Sequence, residues 1–222
     1  MGKEREIKLR MADLPALRRA LTRLGARVVR PRLHERNVLF DTPERSLASR
    51  EQLLRIRAEL PAGQRRSLRP RCIVTFKRPL MTAESSHKSG RHKVREEIEL
   101  EVSDAKALAM IFEGLGMRSW FQYEKFRTTF RLPASNAWAK GLLIELDETP
   151  IGVFLELEGP AIAIDRAAKA LGFETRDYVL ANYMTLYQEY CRSRGEEPRD
   201  MLFAKGENKK RGASSRNRTL FS

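Results

Sequence analysis

The chain has 222 residues, enough for one sizeable domain, and its 43 Lys plus Arg against 29 Asp plus Glu give a formal net charge of +14. That charge indicates an anionic partner, which could be nucleic acid, an anionic membrane or a polyanionic small molecule. No apolar run approaches the ~18 residues of a membrane helix and no signal peptide precedes the first strand, so we expect no membrane partner and a cytoplasmic location. The two cysteines, Cys72 and Cys191, lack the spacing of a disulfide framework or a zinc site.

The first strand has one charged face. Successive side chains of extended backbone alternate between faces, so Glu4, Glu6 and Lys8 share one face while Ile7 and Leu9 lie on the other. Taken alone, such a face is typical of the solvent side of an ordinary sheet. The later strands decide whether it points to water or to a shared interior.

A helix and a second strand follow. Asp13 can cap a helix that carries leucines at helical spacing and stops at Leu24-Gly25, and we expect this helix on the outside of the strands. Residues 33–42 are predicted to form the second strand, ended by a turn at Asp41-Thr42-Pro43.

Six later segments repeat the alternation of the first strand. Their polar parity carries Arg55, Arg57, Thr75, Lys77, Arg95, Glu97, Glu99, Glu101, Lys125, Arg127, Thr129, Arg131, Glu145, Asp147, Glu156 and Glu158. Acids and bases are nearly balanced, so these faces could neutralise one another around a common interior. The pattern therefore predicts a closed antiparallel barrel with a charged lumen and apolar outer walls covered by helices.

Two basic loops, 61–71 and 79–93, separate some of these strands. The second loop holds His87 and His92. No third ligand is in register with them, so we expect both to be solvated and assign them no catalytic role.

The middle of the chain echoes its beginning. Ser103 can cap a helix that ends at Leu115-Gly116, so strand, helix, Leu-Gly and strand recur at a period of roughly ninety residues. We expect two related halves that close one barrel and meet across its lumen. Two more helices are predicted, near 164–171 and 177–194.

From residue 204 onward the chain is rich in Gly, Ser and basic residues and has no periodicity. We therefore divide it into one domain, 1–203, and a basic tail, 204–222, which we expect to be disordered. A short solvated terminus usually has no specific partner, so we do not expect nucleic acid as the ligand. The oligomeric state is left open, with a homodimer as one candidate.

The N-terminal Glu4-x-Glu6-x-Lys8 resembles the ExExK signature of the CYTH superfamily, the triphosphate tunnel metalloenzymes. Further matches occur in the same order, at 40–43, 54–57, 75–77, 95–99, 125–127, 145–147 and 152–158. The resemblance spans roughly residues 4–190. It implies an α+β fold, a closed eight-stranded antiparallel β-barrel with helices packed on the outside. The superfamily includes class IV adenylate cyclases, thiamine triphosphatases and inorganic triphosphatases.

A lumen of many charges is costly to desolvate, so it indicates a charged ligand. A triphosphate would pair with the cations Lys8, Arg55, Arg57, Lys77, Lys125 and Arg127, of which we assign Lys8, Arg57 and Lys77 to catalysis. Carboxylates would repel that ligand unless a divalent cation lay between them. We therefore expect Mg²⁺ or Mn²⁺ as the cofactor, held by Glu4, Glu6, Asp147, Glu156 and Glu158. The resemblance implies the same division and adds four tunnel positions without an assigned role, Arg95, Glu97, Glu99 and Glu145.

These assignments predict a metal-dependent enzyme that cleaves an inorganic or organic triphosphate. Hydrolysis is favoured, because cyclisation also needs a nucleoside held with its 3′-hydroxyl in line with the α-phosphate. One alternative is a class IV adenylate cyclase that converts ATP to cyclic AMP and pyrophosphate. Another is a non-catalytic module that binds polyphosphate or RNA, although a full acidic set would weaken a pure anion binder. The organic part of the substrate is not predicted.

Overall fold

The computed structural model describes residues 2–63, 69–80 and 90–204. The strands are β1 (Gly2–Met11), β2 (Arg27–Asp41), β3 (Leu53–Pro61), β4 (Arg71–Pro79), β5 (Lys93–Val102), β6 (Arg118–Arg131), β7 (Leu143–Thr149) and β8 (Gly152–Glu158). The α-helices are α1 (Leu14–Arg23), α2 (Ser46–Ser49), α3 (Ala105–Gly114), α4 (Ala161–Ala170) and α5 (Tyr183–Arg194).

The eight strands form a closed antiparallel barrel in the order β1-β5-β4-β3-β2-β6-β7-β8, and β8 pairs back onto β1. The predicted fold class is therefore confirmed. Strand β2 begins at Arg27 rather than at residue 33, and its pairing with β6 shifts register between Arg30 and Leu33. Pro31 lies at that shift, because proline has no N–H to donate to the ladder.

Both faces of the barrel wall are buried. On β1, Ile7 and Leu9 are fully buried on the outside, while the inward side chains of Glu6 and Lys8 are only 3 % exposed. The outer apolar residues of β1, β7 and β8 pack against α1 and α4 in one core cluster. A second cluster places α3 over β2 and β3.

The cover of the outer wall is incomplete over β5, where Leu100 is 64 % exposed. The expectation that helices cover the whole apolar wall is thus met on most strands but not there.

The two related halves occupy equivalent positions in the barrel. The segments β1-α1-β2 and β5-α3-β6 have the same order of elements, and β1 pairs with β5 while β2 pairs with β6. The two halves therefore meet through backbone hydrogen bonds between equivalent strands, β1 with β5 and β2 with β6. This differs from the expected contact across the lumen.

Helix boundaries follow local capping. The Asp13 carboxylate accepts a hydrogen bond from Ala16 N at 2.8 Å, as predicted. The cap of α3 is Asp104, which accepts from Ala107 N at 2.9 Å, so the assignment of Ser103 as the cap is wrong by one residue.

The last helix begins at Tyr183 rather than near residue 177. Before it, Val179 forms two backbone hydrogen bonds with Lys8, of 2.8 and 3.0 Å, so the chain here is extended along the end of β1. This extended segment delivers the start of α5 to the barrel.

Within the described ranges, no helix is long and apolar enough to span a membrane. Cys72 and Cys191 are both buried and free. His87 and the predicted tail beyond Ala204 lie outside the described residues.

Candidate functional site

The interior of the barrel contains a cavity of about 470 Å³. The predicted site residues on its wall are Glu4, Glu6, Lys8, Arg55, Arg57, Lys77, Arg95, Glu97, Glu99, Lys125, Arg127, Glu145, Glu156 and Glu158. They come from β1 and from β3 to β8, because residues on one parity of each strand face the same interior. Of the predicted site residues, Asp147 alone does not line the cavity, since it is fully buried behind its surface.

Three carboxylates converge at one place on this wall. Glu4 and Glu6 from β1 and Glu156 from β8 each offer an oxygen within 4.8 Å of the others, and each residue is at most 6 % exposed. Lys8 pairs with Glu156 across the strands, which sets Glu6 and Glu156 as diagonal neighbours. We name Glu4, Glu6 and Glu156 the carboxylate cluster.

Charge repulsion among the carboxylates of the carboxylate cluster favours binding of a cation there. Burial and then repulsion from Glu6 raise the pKa of Glu156 to about 7. Burial also opposes ionisation of Glu6, but Lys8, Lys77 and Lys93 outweigh it and hold its pKa well below the ordinary value. Mg²⁺ and Mn²⁺ are hard cations that take carboxylate oxygens as ligands, so these residues fit the predicted ion.

Glu158 extends this acidic region. It lies opposite Glu6 on the β1–β8 ladder. Burial raises its pKa to about 8, with further contributions from Glu145, Glu4 and Glu156. Its oxygens are not part of the carboxylate cluster itself.

Cations surround the carboxylate cluster. Lys8 Nζ lies 3.0 Å from Glu6 and 3.4 Å from Glu156. Lys77 Nζ lies 2.5 Å from Glu4, and the Arg95 guanidinium lies 3.5 Å from the same residue. The site thus places positive side chains directly beside the acidic group, as binding of a metal and an anion together requires.

Asp147 belongs to a different group. Its carboxylate accepts hydrogen bonds from Lys125 at 2.9 Å, from Arg127 at 2.6 Å and from the Tyr183 hydroxyl at 2.6 Å. Burial opposes ionisation of Asp147, but Arg127 and Lys125 outweigh it and lower its pKa. Arg127 also forms an ion pair with Glu145. These contacts place Asp147 apart from the carboxylate cluster.

The two arginines of β3 face the opposite part of the wall. Arg55 donates to the Tyr123 hydroxyl at 3.1 Å and to Thr75 at 3.2 Å, and Arg57 donates to Glu99 at 3.1 Å. Among the described residues, the buried Nε atoms of Arg55 and Arg95 have no hydrogen-bond partner. These N–H groups remain available to an anionic ligand.

The cavity also contains residues that sequence reasoning missed. Glu59 and Lys93 continue the parity of Arg57 and Arg95, so a longer reading of each strand would have found them. Glu35 lies on β2 opposite Lys125 of β6, and the two side chains are 3.5 Å apart. No sequence pattern identified Tyr183 as a site residue, because an aromatic residue at helical spacing is more often part of the hydrophobic core.

His92 differs from the expectation. Its ring is 8 % exposed rather than solvated, and Nε2 lies 2.8 Å from Asp165 of α4. It lines neither the barrel cavity nor the carboxylate cluster.

Comparison with known proteins identifies relatives with the same organisation. A protein of Methanocaldococcus jannaschii, named "Putative adenylate cyclase MJ0240", is 27 % identical over 169 residues, covering 76 % of this chain and 83 % of the relative. A solved structure of a "putative adenylate cyclase" from Vibrio parahaemolyticus superposes with a TM-score of 0.65 at 17 % identity, covering 84 % of this chain and 98 % of the other.

A second solved structure is from Hippeastrum and is described as a "putative adenylyl cyclase" with a dominant triphosphatase activity. It has a TM-score of 0.51 and 20 % identity, and the match covers 88 % of this chain and 97 % of the other. At this identity the likeness concerns the fold.

The CYTH domain family matches residues 2–176, which include all eight strands and every predicted site residue. The match covers the barrel, its charged interior and the α4 cover. This chain belongs to the CYTH domain family.

Proposed function

We propose that this protein is a divalent-metal-dependent enzyme that hydrolyses a triphosphate inside the barrel. The observation that carries the proposal is the carboxylate cluster with Lys8 at 3.0 Å from Glu6 and 3.4 Å from Glu156, inside one cavity lined by six further cations of the predicted set. Burying carboxylates and cations on one closed wall costs free energy of desolvation. A metal ion bound together with a polyanion would offset that cost, which accounts for these charged side chains in the interior.

Glu4, Glu6 and Glu156 would hold the ion. When bound there, a divalent cation neutralises phosphate charge and polarises the phosphoryl group. We assign Glu158 to the edge of the same acidic region. Asp147 takes a positioning role instead, because its oxygens already bind Lys125, Arg127 and Tyr183.

The remaining cations would bind the triphosphate. Lys8 and Lys77 stand beside the carboxylate cluster, where they can contact phosphate oxygens and stabilise charge that develops during transfer. Arg55 and Arg57 from β3 present guanidinium groups that suit phosphate oxygens in bidentate geometry. In this structure these cations pair with Glu4, Glu6, Glu97 and Glu99, and a bound polyanion would replace part of that pairing.

Water is the proposed nucleophile. Attack by water needs only the charged tunnel, and the Hippeastrum relative with the same fold is described by a dominant triphosphatase activity. The second candidate is adenylate cyclisation, favoured by the name of the Methanocaldococcus relative. It requires a nucleoside held beside the tunnel.

A substrate panel tests the proposal. Purified protein would be incubated with tripolyphosphate, ATP or thiamine triphosphate and either Mg²⁺ or Mn²⁺, with release of phosphate, pyrophosphate and cyclic AMP measured separately. We expect metal-dependent phosphate release from at least one triphosphate, abolished by EDTA. Cyclic AMP as the main product, with tripolyphosphate uncleaved, would select the cyclase instead.

A further inference from the structure

Helix α3 has a second apolar face, which points away from the barrel. Its inner face, with Leu108, Ala109 and Phe112, packs in the cluster over β2 and β3. Met110 and Ile111 lie on the opposite side of the helix and are each more than half exposed. The outer side of a surface helix is ordinarily polar, so packing on the barrel does not account for these two side chains.

The exposed apolar surface continues beyond the helix. Leu115, directly after α3, is 71 % exposed, and Leu100 of β5 is 64 % exposed. Leu100 lies opposite Val74 on the β4–β5 ladder, and Val74 packs against the cluster under α3. Leu100 is therefore one strand away from the helix. We name Leu100, Met110, Ile111 and Leu115 the α3 patch.

The α3 patch has the size of the apolar part of a protein interface. Four large side chains at this exposure present on the order of 500 Å² of surface, and an exposed apolar patch of this size is often functional. A standard interface buries about 800 Å² per partner, of which about 60 % is nonpolar. The α3 patch with a polar rim would therefore be large enough for a stable complex.

The outer face of α3 is complementary to a second copy of itself. Consider two antiparallel α3 helices related by a two-fold axis that passes between positions 110 and 111. Met110 of one copy would then lie against Ile111 of the other. Ala107 would lie against Gly114, and both are exposed and small enough to let the two helices approach closely.

The charges of α3 follow the same symmetry. Lys106 and Glu113 are exposed and lie seven residues apart, so they project from the same side of the helix two turns from each other. Neither forms an ion pair with another residue in the described part of the chain. About the same axis, Lys106 of one copy would face Glu113 of the other, at both ends of the contact. This arrangement favours a second copy over an unrelated protein.

We propose that the α3 patch is the interface of a two-fold symmetric dimer of this chain. The formal charge of +14 makes two copies repel at long range, but at physiological ionic strength that repulsion is screened over about 8 Å. Lys106 and Glu113 balance each other within the contact. The dimer concerns the outside of the barrel and is independent of the proposed hydrolysis.

Analytical ultracentrifugation over a series of protein concentrations tests the dimer. We expect the wild type to dimerise with a Kd in the micromolar range or below, as interfaces of this size do. Ile111→Lys would place two like charges beside the two-fold axis and should weaken dimerisation by about 100-fold or more. Ile162→Lys is the matched control, because Ile162 is an exposed isoleucine on α4 outside the α3 patch, and it should dimerise as the wild type does.

A wild type that stays monomeric up to about 100 μM would overturn the proposal and would leave the α3 patch to a different protein. Equal weakening by Ile111→Lys and Ile162→Lys would also overturn it, because the dimer would then not depend on α3.

A charge exchange tests whether the contact is made by two copies of α3. Lys106→Glu would set two carboxylates opposite each other and should weaken dimerisation by about 3- to 10-fold, since opposed like charges repel more than an exposed ion pair attracts. Adding Glu113→Lys restores opposite charges and should return the Kd to within about twofold of the wild type. Both positions are exposed, and circular dichroism would verify that each variant is folded. Folded variants without this recovery would overturn the antiparallel arrangement.

Discussion

The carboxylates of the barrel interior do not share one electrostatic state. Burial opposes ionisation of both Glu6 and Glu156, and their nearest charged partners decide whether the pKa ends low or high. Glu6, beside Lys8, keeps a low pKa, whereas Glu156, repelled by Glu6, has a pKa of about 7. Opposite pKa shifts of titratable groups within one cavity are typical of binding and catalytic sites.

The first prediction separates metal ligands from phosphate ligands. Glu156→Gln should weaken Mn²⁺ binding by at least about tenfold, because it removes a carboxylate from the cluster. Arg57→Ala should leave Mn²⁺ affinity unchanged and weaken tripolyphosphate binding by about 10- to 100-fold, as expected for loss of a charge-assisted hydrogen bond. Calorimetry with each ligand measures both effects.

Arg78→Ala is the control for the first prediction, because Arg78 lies next to Lys77 on β4 but pairs with Glu96 outside the tunnel, at 2.6 Å. It should behave as the wild type. Indistinguishable Mn²⁺ titrations for Glu156→Gln and Arg57→Ala would contradict the division of roles.

The second prediction concerns the pH dependence of stability. Burial opposes ionisation of Glu35, but Lys125 and Arg127 outweigh it and lower its pKa from 4.5 to about 2. A lowered pKa stabilises the fold above the unfolded-state value and loses that effect as pH falls toward 2. Glu35→Gln should therefore cost on the order of 2 kcal/mol in free energy of unfolding at pH 7.

Urea unfolding of wild type and Glu35→Gln at several pH values checks this. The difference should be constant above about pH 5 and shrink below pH 4.5. The exposed Glu113→Gln on α3 serves as the control, with little change at any pH. A difference that grows on acidification would show that the sign is wrong.

At the level of elements, α5 closes one part of the tunnel wall. Asn182 caps this helix by accepting from Thr185 N at 2.9 Å, and the next residue, Tyr183, enters the barrel and donates to Asp147. The Tyr183 ring packs edge-on against Phe154 of β8. One helix terminus thus joins the C-terminal part of the chain to the group of Asp147, Lys125 and Arg127.

The third prediction tests that junction. Tyr183→Phe removes the hydroxyl that donates to Asp147 at 2.6 Å, which should cost about 1–2 kcal/mol and lower Tm by roughly 2–6 °C. Tyr187→Phe on the same helix removes an exposed hydroxyl that donates to the carbonyl of Asp200 at 3.3 Å and should change Tm much less. Equal thermal shifts for the two variants would mean that the Tyr183 hydroxyl has no special role.

At the level of the whole molecule, the C-terminal segment completes the barrel wall. Met201 pairs with β6 through backbone hydrogen bonds to Gln122 and Glu124, and the Phe203 ring packs against Phe126 in a tilted arrangement. Met201 and Phe203 are almost fully buried. Met201 and Phe203 therefore belong to the packed domain, and the domain boundary at 203 stays a prediction.

The fourth prediction uses this boundary. A chain that ends at Ala204 should keep the Tm and triphosphate turnover of the full protein, because the contacts with β6 are retained. A chain that ends at Pro198 also lacks Met201 and Phe203 and should lose about 3–5 kcal/mol of stability. Thermal unfolding of both truncations, with activity assays, is the measurement. A large loss in the longer truncation product would show that residues beyond 204 contribute to the domain.

The sequence by itself determined the parity of each strand, and with it the charged interior and the apolar exterior. Parity is local, because it follows from the two-residue repeat of extended backbone, so Glu4, Lys8, Arg57 and Glu156 could be assigned to the lumen from sequence. The near balance of acids and bases also implied closure of the sheet. Helix ends were found to within a residue or a few, since caps are local signals.

The tertiary structure alone decided which charges are neighbours. Neighbours across a barrel depend on strand order and stagger, which no single strand encodes. The register of β8 on β1 brings Glu156 to Glu6, while the register of β7 on β6 gives Asp147 to Arg127. Tyr183 reaches the same interior from a helix more than thirty residues later in the chain than Asp147, because an extended segment first pairs with β1. Sequence therefore specified the kinds of side chain in the site, and the closed fold specified their partners.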